Sequence, residues 1–332
     1  MAVLVTGAAG FIGAATSRAL LERGDEVFGI DNLNSYYDPA LKQARLDKLS
    51  DKFGERFRFK RVDFADANEL RRALEDVEFD SILHFGAQAG VRYGLENPEA
   101  YVQSNLVGHC NMLELARARE PKHMVYASSS SVYGGNKSLP FRVQDRVDHP
   151  LSLYAATKKA DELLSESYSN LYRLPLTGLR FFTVYGPWGR PDMAIWIFTE
   201  ALFAGAPLPL FNHGEMRRDF TYIDDIVTGI LACLDSPPPD DGSVKAGGSM
   251  APHALYNLGN SRSEDLMRVV ELLEKATGRK AMLDPQPMHI GDVKETFADL
   301  AAIRRDHGFE PTTSIEEGIP RFVSWYREYH GL

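Results

Sequence analysis

Along the first 182 residues, short apolar-rich runs alternate with longer segments in which apolar side chains recur every three or four positions. The runs at 3–6, 26–30, 57–62, 81–84, 123–128 and 176–182 are too short for helices and are bounded by polar or glycine-rich turns, so they predict strands. Helical periodicity at 11–23 and 153–171 supplies crossovers between them. Strand and helix in strict succession predict an α/β fold, a doubly wound parallel sheet of Rossmann type covered on both faces. After about residue 182 the rhythm loosens into proline-rich loops and shorter elements, which predicts a smaller α/β domain closing over the carboxyl ends of the strands. Residues 236–251, rich in proline and glycine, read as a mobile surface excursion.

Composition narrows the possibilities without naming a chemistry. A chain of 332 residues, 44% hydrophobic and 25% charged, can bury a substantial core. A formal net charge of -9 argues against sequence-independent binding to nucleic acid or to an anionic membrane, while leaving room for a local phosphate site. Cys110 and Cys233 are the only cysteines, and both lie in helix-like apolar stretches. They are expected as buried, reduced thiols, with no metal site. The chain enters its first strand without a basic leader or a long apolar segment, so a cytoplasmic protein with no membrane insertion is expected.

Gly7-Ala-Ala-Gly10-Phe11-Ile12-Gly13 follows the first predicted strand directly and opens the first helix. Glycines there permit a tight turn and close backbone approach, while the helix N-terminus attracts a pyrophosphate. The second strand ends in Asp31, whose carboxylate can accept from a ribose diol and would repel a 2′-phosphate. NAD is therefore the expected cofactor. Tyr154 and Lys158 are four residues apart in a helical stretch, so phenol and ammonium can project into the same space. A phenol titrates near ~10, and a neighbouring lysine cation favours the phenolate that base catalysis near neutrality needs. Spacing alone does not single this pair out, because Tyr133 and Lys137 share it, although Gly134 and Gly135 disfavour a helix there.

The glycine spacing together with Tyr154-x-x-x-Lys158 resembles the extended short-chain dehydrogenase/reductase family over nearly the whole chain. The resemblance implies that His84-Phe85-Gly86-Ala87-Gln88 lies beside the cofactor and that Asn105 is the helix asparagine organising the active site. Asn32, Asp63, Phe64 and Phe181 are expected as further cofactor contacts. Phe85-Gly86 departs from the Leu-Ala or Ala-Ala usual in that family. In Ala127-Ser-Ser-Ser-Ser-Val-Tyr-Gly134, counting back from Tyr133-Gly134 matches Ser129 to the family's catalytic hydroxyl. Related dehydratases and decarboxylases carry glutamate where this chain has Ser131, and a hydroxyl is no comparable base. That points away from elimination and towards reversible hydride transfer.

Within the family, the stretches 31–38, 87–93, 149–158 and 180–193 are similar to the UDP-glucuronate 4-epimerase subfamily. That similarity implies reversible interconversion of UDP-glucuronate and UDP-galacturonate through a 4-keto sugar, with bound NAD. Arg190, Ser130, Ser131 and Thr183 are then implied to hold the sugar carboxylate, Phe211 the uracil and Arg218 the diphosphate. Arg92 is placed near the sugar, and Asp292 in a second nucleotide-side loop where His289-Ile290 replaces the usual Gln-Pro. The expected domains are an NAD-binding one at 1–182, rejoined by about 220–258, and a sugar-nucleotide-binding one from 183–219 and 259–332. Helices near 97–119 and 153–171 are implied to pair chains into a homodimer. The rival readings are a UDP-glucuronate decarboxylase, which Ser131 disfavours, and a UDP-glucose or UDP-N-acetylglucosamine 4-epimerase, which Arg190 disfavours. A non-enzymatic NAD-binding regulator would have no need of Ser129, Tyr154 and Lys158 together.

Overall fold

The structure, a computed structural model, describes residues 1–288 and 291–332. Its first half contains strands β1 Ala2–Thr6, β2 Glu26–Asp31, β3 Phe57–Arg61, β4 Ser81–His84, β5 His123–Ser129 and β6 Leu176–Phe181. The helices between them are α1 Phe11–Arg23, α2 Pro39–Phe53, α3 Ala67–Ala73, α4 Pro98–Tyr101, α5 Gly108–Arg119 and α6 Leu153–Tyr172. The second half adds β7 Thr183–Tyr185, β8 Pro207–Phe211, β9 Arg217–Arg218, β10 Phe220–Tyr222, β11 His253–Leu258, β12 Glu264–Asp265 and β13 Met282–Gln286. Its helices are α7 Ala194–Ala204, α8 Ile223–Leu234, α9 Leu266–Thr277, α10 Ala301–His307 and α11 Ile315–His330.

Seven of the strands form one parallel sheet in the order β11-β6-β5-β4-β1-β2-β3. Alternation along β1 sends Val3 and Val5 into one apolar layer and Leu4 into the other, so both faces are buried. The order of strand addition switches sides at β1, with β2 and β3 to one side and β4, β5 and β6 to the other, which leaves a crevice beyond the carboxyl ends of β1 and β4. The remaining strands make three short pairs. β8 pairs with β13 and β9 with β12, joining 207–218 to 264–286, while β10 pairs with β7.

Three expectations need correction. The stretch 97–119 is not one uniform helix, because a π-helical segment, Val102–Val107, separates α4 from α5 and widens the turn around Asn105. Cys233 is buried, but Cys110 is only half-buried, on the edge of α5 where its Sγ lies 3.8 Å from the Tyr168 hydroxyl. The loop after α8 is exposed over 236–244, yet its later part is tied down: Ser249 Oγ donates to Glu166 Oε1 at 2.8 Å, and Ala246 and Ala251 are buried. Among the described residues no helix is long and apolar enough to cross a membrane.

Candidate active site

The crevice is a cleft of about 560 Å³ whose floor is the glycine turn after β1. Gly7 has φ +68°, and a Cβ on it would stand 2.7 Å from the Gly86 nitrogen. A Cβ on Gly13 would stand 2.1 Å from the Gly7 carbonyl oxygen, so only glycine allows the turn to close this tightly. Gly10 caps α1 with no side chain over its first turn, and the N–H groups of that turn remain available to an anion. At the end of β2, Asp31 accepts from Leu33 N at 2.9 Å and Ala9 N at 3.2 Å. Burial pushes its carboxyl above the ordinary range, opposed by those N–H groups and the Lys42 cation. A bare glycine cradle, an open helix start and a strand-end carboxylate fit a dinucleotide with a free ribose diol.

The Phe85-Gly86 departure has a steric counterpart. A Cβ on Gly86 would lie 2.4 Å from Cε1 of Phe64, and one on Gly108 would lie 2.3 Å from Cε2 of the same ring. Phe64 thus fills the room that an alanine side chain would take. Gly86 N donates to Thr6 Oγ1 at 3.0 Å, and the same Oγ1 is hydrogen-bonded to His84 Nδ1 at 2.7 Å. Burial, with the Lys158 cation adding, pushes His84 down to about 3, so the ring is neutral.

At the reactive end, Ser152 caps α6 by accepting from Ala155 N at 3.1 Å, and Tyr154 follows in the first turn with Lys158 one turn later. Both line the cleft, as does Ser129 at the end of β5. Lys158 is buried; its Nζ donates to Ala127 O at 3.0 Å and to Asp161 Oδ2 at 3.0 Å. The Tyr101 ring meets Tyr154 edge-on with centroids 6.2 Å apart. The duplicate pair is elsewhere: Tyr133 is buried, stacks on Phe141 at 4.6 Å and donates to Asn257 Oδ1 at 2.6 Å, while Lys137 is exposed. The helix carrying Tyr154 is anchored to the sheet by Arg180 on β6, whose Nε and Nη2 donate to the two oxygens of Glu162 at 2.7 and 2.9 Å.

Ser130, Ser131, Thr183 and Arg190 line the same cleft. Arg190 follows a tight turn in which Gly189 N donates to Gly186 O at 3.0 Å and Trp188 takes φ +65°. Its fork already has a partner: Nε donates to Asp192 Oδ1 at 2.9 Å and Nη2 to Asp192 Oδ2, while the Tyr36 hydroxyl donates to Oδ2 at 3.0 Å. Despite burial, Arg190 holds the Asp192 carboxyl below its ordinary value. Also in the lining, the Arg92 guanidinium sits 3.9 Å above the Phe211 ring and donates to Asp292 Oδ2 at 3.3 Å. Arg218 Nη1 donates to the carbonyls of Arg217 and Lys294 at 2.9 and 3.1 Å.

Apart from His84, which is buried behind the lining, every expected cofactor and substrate residue lines this cleft except Asp63 and Asn105. Both stand one layer behind it. Asp63 Oδ2 accepts from Asn32 Nδ2 at 3.1 Å. Asn105 accepts from Gln88 N at 2.8 Å and donates to Gln88 O at 3.1 Å and Thr157 Oγ1 at 3.0 Å, which links the β4 loop to the catalytic helix. The loop expectation at His289-Ile290 lies outside the described residues. Sequence reasoning missed Tyr36, Asp192, Lys42 and Arg45. Buried Arg45 donates to Ala9 O at 2.9 Å, Trp188 O at 2.6 Å and Gly189 O at 3.0 Å, which ties the glycine turn to the turn before Arg190. A signal existed for it: Arg45 shares a helix face with Leu41 and Leu49, so a cation stands on an apolar stripe.

Comparison with known proteins agrees with this geometry. The model of the NAD dependent epimerase/dehydratase family matches residues 3–246. The chain belongs to that family. A probable UDP-glucuronate 4-epimerase of Rhizobium meliloti (strain 1021) is 47% identical over 332 residues, spanning 98% of this chain and 97% of that one. The crystal structure of UDP-glucuronic acid 4-epimerase from Bacillus cereus in complex with UDP-glucuronic acid and NAD superposes with a TM-score of 0.87 at 30% identity, covering 99% of this chain and 100% of that chain. The UDP-glucose 4-epimerase of Thermotoga maritima, solved with UDP-glucose, superposes almost as well, with a TM-score of 0.86 at 27% identity over 99% of this chain and 100% of that one. Fold similarity alone thus does not separate uronate from neutral sugar, nor an epimerase from the dTDP-glucose 4,6-dehydratase of Streptomyces venezuelae, which superposes with a TM-score of 0.87 at 28% identity over 100% of this chain and 98% of that one. That separation rests on side chains.

Proposed function

We propose that this chain interconverts UDP-glucuronate and UDP-galacturonate, an isomerase reaction at C4 of the sugar. The observation that carries the reading is one cleft lined both by Ser129, Tyr154 and Lys158 and by donors of the kind a carboxylate accepts from, Ser130, Ser131, Thr183 and Arg190. The glycine turn, Asp31, Asn32, Phe85 and Phe181 would hold NAD, which would supply reversible hydride transfer at C4 of the sugar. Tyr154 as phenolate removes the O4 proton, the Ser129 hydroxyl donates to the same oxygen, and the Lys158 ammonium favours the phenolate. The resulting 4-keto sugar turns about its link to the diphosphate and offers its other face, after which Tyr154 gives the proton back.

A 4-keto uronate is a β-keto acid and loses CO₂ when its carboxylate bond aligns with the carbonyl π system. The hydroxyls of Ser130, Ser131 and Thr183 and the N–H edge of Arg190 not engaged with Asp192 hold that carboxylate out of alignment. Asp192 and Tyr36 keep the guanidinium in register. Phe211 and Arg218 receive uracil and diphosphate, a division between stacking and charge-assisted bonding. Arg92 and Asp292, which bridge the cleft mouth, contact the sugar nucleotide from its open side. The division into a nucleotide-binding part at 1–182 and 220–258 and a sugar-nucleotide-binding part at 183–219 and 259–332 is supported by β11 joining the large sheet and by the β8–β13 and β9–β12 pairs. We further propose a cytoplasmic homodimer that supplies uronic acid units for polysaccharide synthesis.

The test is an NMR time course of purified protein with UDP-glucuronate and no added NAD. UDP-galacturonate accumulating without CO₂ is the expected result, whereas a UDP-pentose as main product would replace the epimerase reading by the decarboxylase one. Tyr154→Phe is expected to lower turnover by roughly 10²–10⁴-fold while bound NAD is retained.

A further inference from the structure

Behind the cleft wall, one polar group takes no part in the chemistry described so far. Asp161 is fully buried on α6, three residues after Lys158, and its Oδ2 accepts from the Lys158 ammonium at 3.0 Å. Its Oδ1 is buried without a hydrogen-bond partner among the described residues. A carboxylate with one oxygen unsatisfied is a costly thing to keep in a core, and a neutral residue of the same shape would bond the ammonium through an amide oxygen. The charge on Asp161 acts on Lys158, the cation four residues along α6 from Tyr154; Arg190, the other cation that interacts with Tyr154, is paired with Asp192.

We infer that Asp161 is a positioning and field-setting residue for proton transfer. It fixes Lys158 Nζ against Ala127 O, and in its ionised form it offsets the ammonium charge felt by Tyr154. The inference rests on the reading of Tyr154 as the proton acceptor. An ammonium flanked by a carboxylate 3.0 Å away presents a dipole to the cleft, whereas an uncompensated ammonium presents a full charge. Removing the charge of Asp161 therefore strengthens the pull towards phenolate.

The groups that surround Asp161 leave it as the one poised to titrate in mildly acidic solution. From α5, His109 is pushed well below its ordinary value by burial first and then by His84 and Lys158. From β4, His84 is held down to about 3. From β5, the Tyr126 hydroxyl is raised, by burial first and then by Glu162. On α6 itself, burial raises Glu162, but Arg180 of β6, Lys159 and the Ser128 hydroxyl together hold it below its ordinary value. Asp161 goes the other way: burial raises it to about 6 against the pull of Lys158. Above that pH it is an anion and tempers the lysine; below it, the tempering is lost.

The experiment is an absorbance titration of tyrosinate in the protein as purified, with the step due to Tyr154 identified as the one missing in Tyr154→Phe. In Asp161→Asn that step is expected to move to lower pH by about one unit, the order a unit charge exerts over roughly 10 Å at an effective dielectric of about 20. The acid limb of the kcat/KM profile for UDP-glucuronate is expected to move the same way, with KM at pH 8 unchanged. Asp161→Ser removes the same charge in less space and keeps the test readable if the asparagine variant does not fold. A step that stays in place, or a uniform fall in kcat with no shift of either profile, would reduce Asp161 to a structural residue. If no step disappears in Tyr154→Phe, the proton-acceptor assignment falls, and the inference falls with it.

Discussion

Gly13 shows how closely one residue can be specified. A Cβ there would overlap the Gly7 carbonyl oxygen at 2.1 Å, a backbone atom that cannot step aside without opening the turn. Forcing such a contact costs about 1–3 kcal/mol. Gly13→Ala is therefore expected to weaken NADH binding by roughly 10-fold or more, read by fluorescence titration of cofactor-stripped protein. Unchanged affinity would mean that the turn does not hold the cofactor. Gly13 was legible because three glycines, a strand and a helix are all local signals. Asp192 was not, although it is two residues from Arg190, because its engagement of the guanidinium fork depends on the turn that holds Trp188 at φ +65°. Gly86 was visible only as a departure; its reason, the Phe64 ring, comes from a different loop.

At the scale of elements, helix α2 carries more of the site than its sequence announces. Its start was readable in Asp38-Pro39, where Asp38 accepts from Ala40 N at 2.9 Å. Arg45 within it joins two turns that come from opposite halves of the chain. Arg45→Met would leave the carbonyls of Ala9, Trp188 and Gly189 without this donor, a loss expected to lower stability by at least about 2 kcal/mol in urea unfolding. A variant as stable as the parent would show that water replaces the guanidinium without cost. The π-helical segment around Asn105 is a second case. Apolar periodicity predicts a helix over 97–119, and it does not foretell the widened turn in which Asn105 bonds the Gln88 backbone on one side and Thr157 on the other.

For the whole molecule, the faces left outside the core bear on assembly. Val102 and Val107 in the π segment and Leu163 and Leu171 on α6 are exposed apolar residues on adjacent helical stretches, the kind of surface that a second copy would cover. Light scattering is expected to give twice the 37.1 kDa of one chain, and Leu163→Lys to shift the mass towards a single chain; a monomeric parent would remove the dimer from the proposal. The fold class, the dinucleotide turn and the Tyr154-Lys158 spacing were determined by sequence alone, because strand length, helix period and glycine content act within a few residues of each other. Tertiary structure decided which tyrosine faces the cleft, which carboxylates stand beside Arg190 and Lys158, and that Arg45 binds carbonyls 143 and 144 positions away. Those choices depend on how buried faces pack across the sheet, where a charge finds its partner by proximity in space and local periodicity carries no record of it.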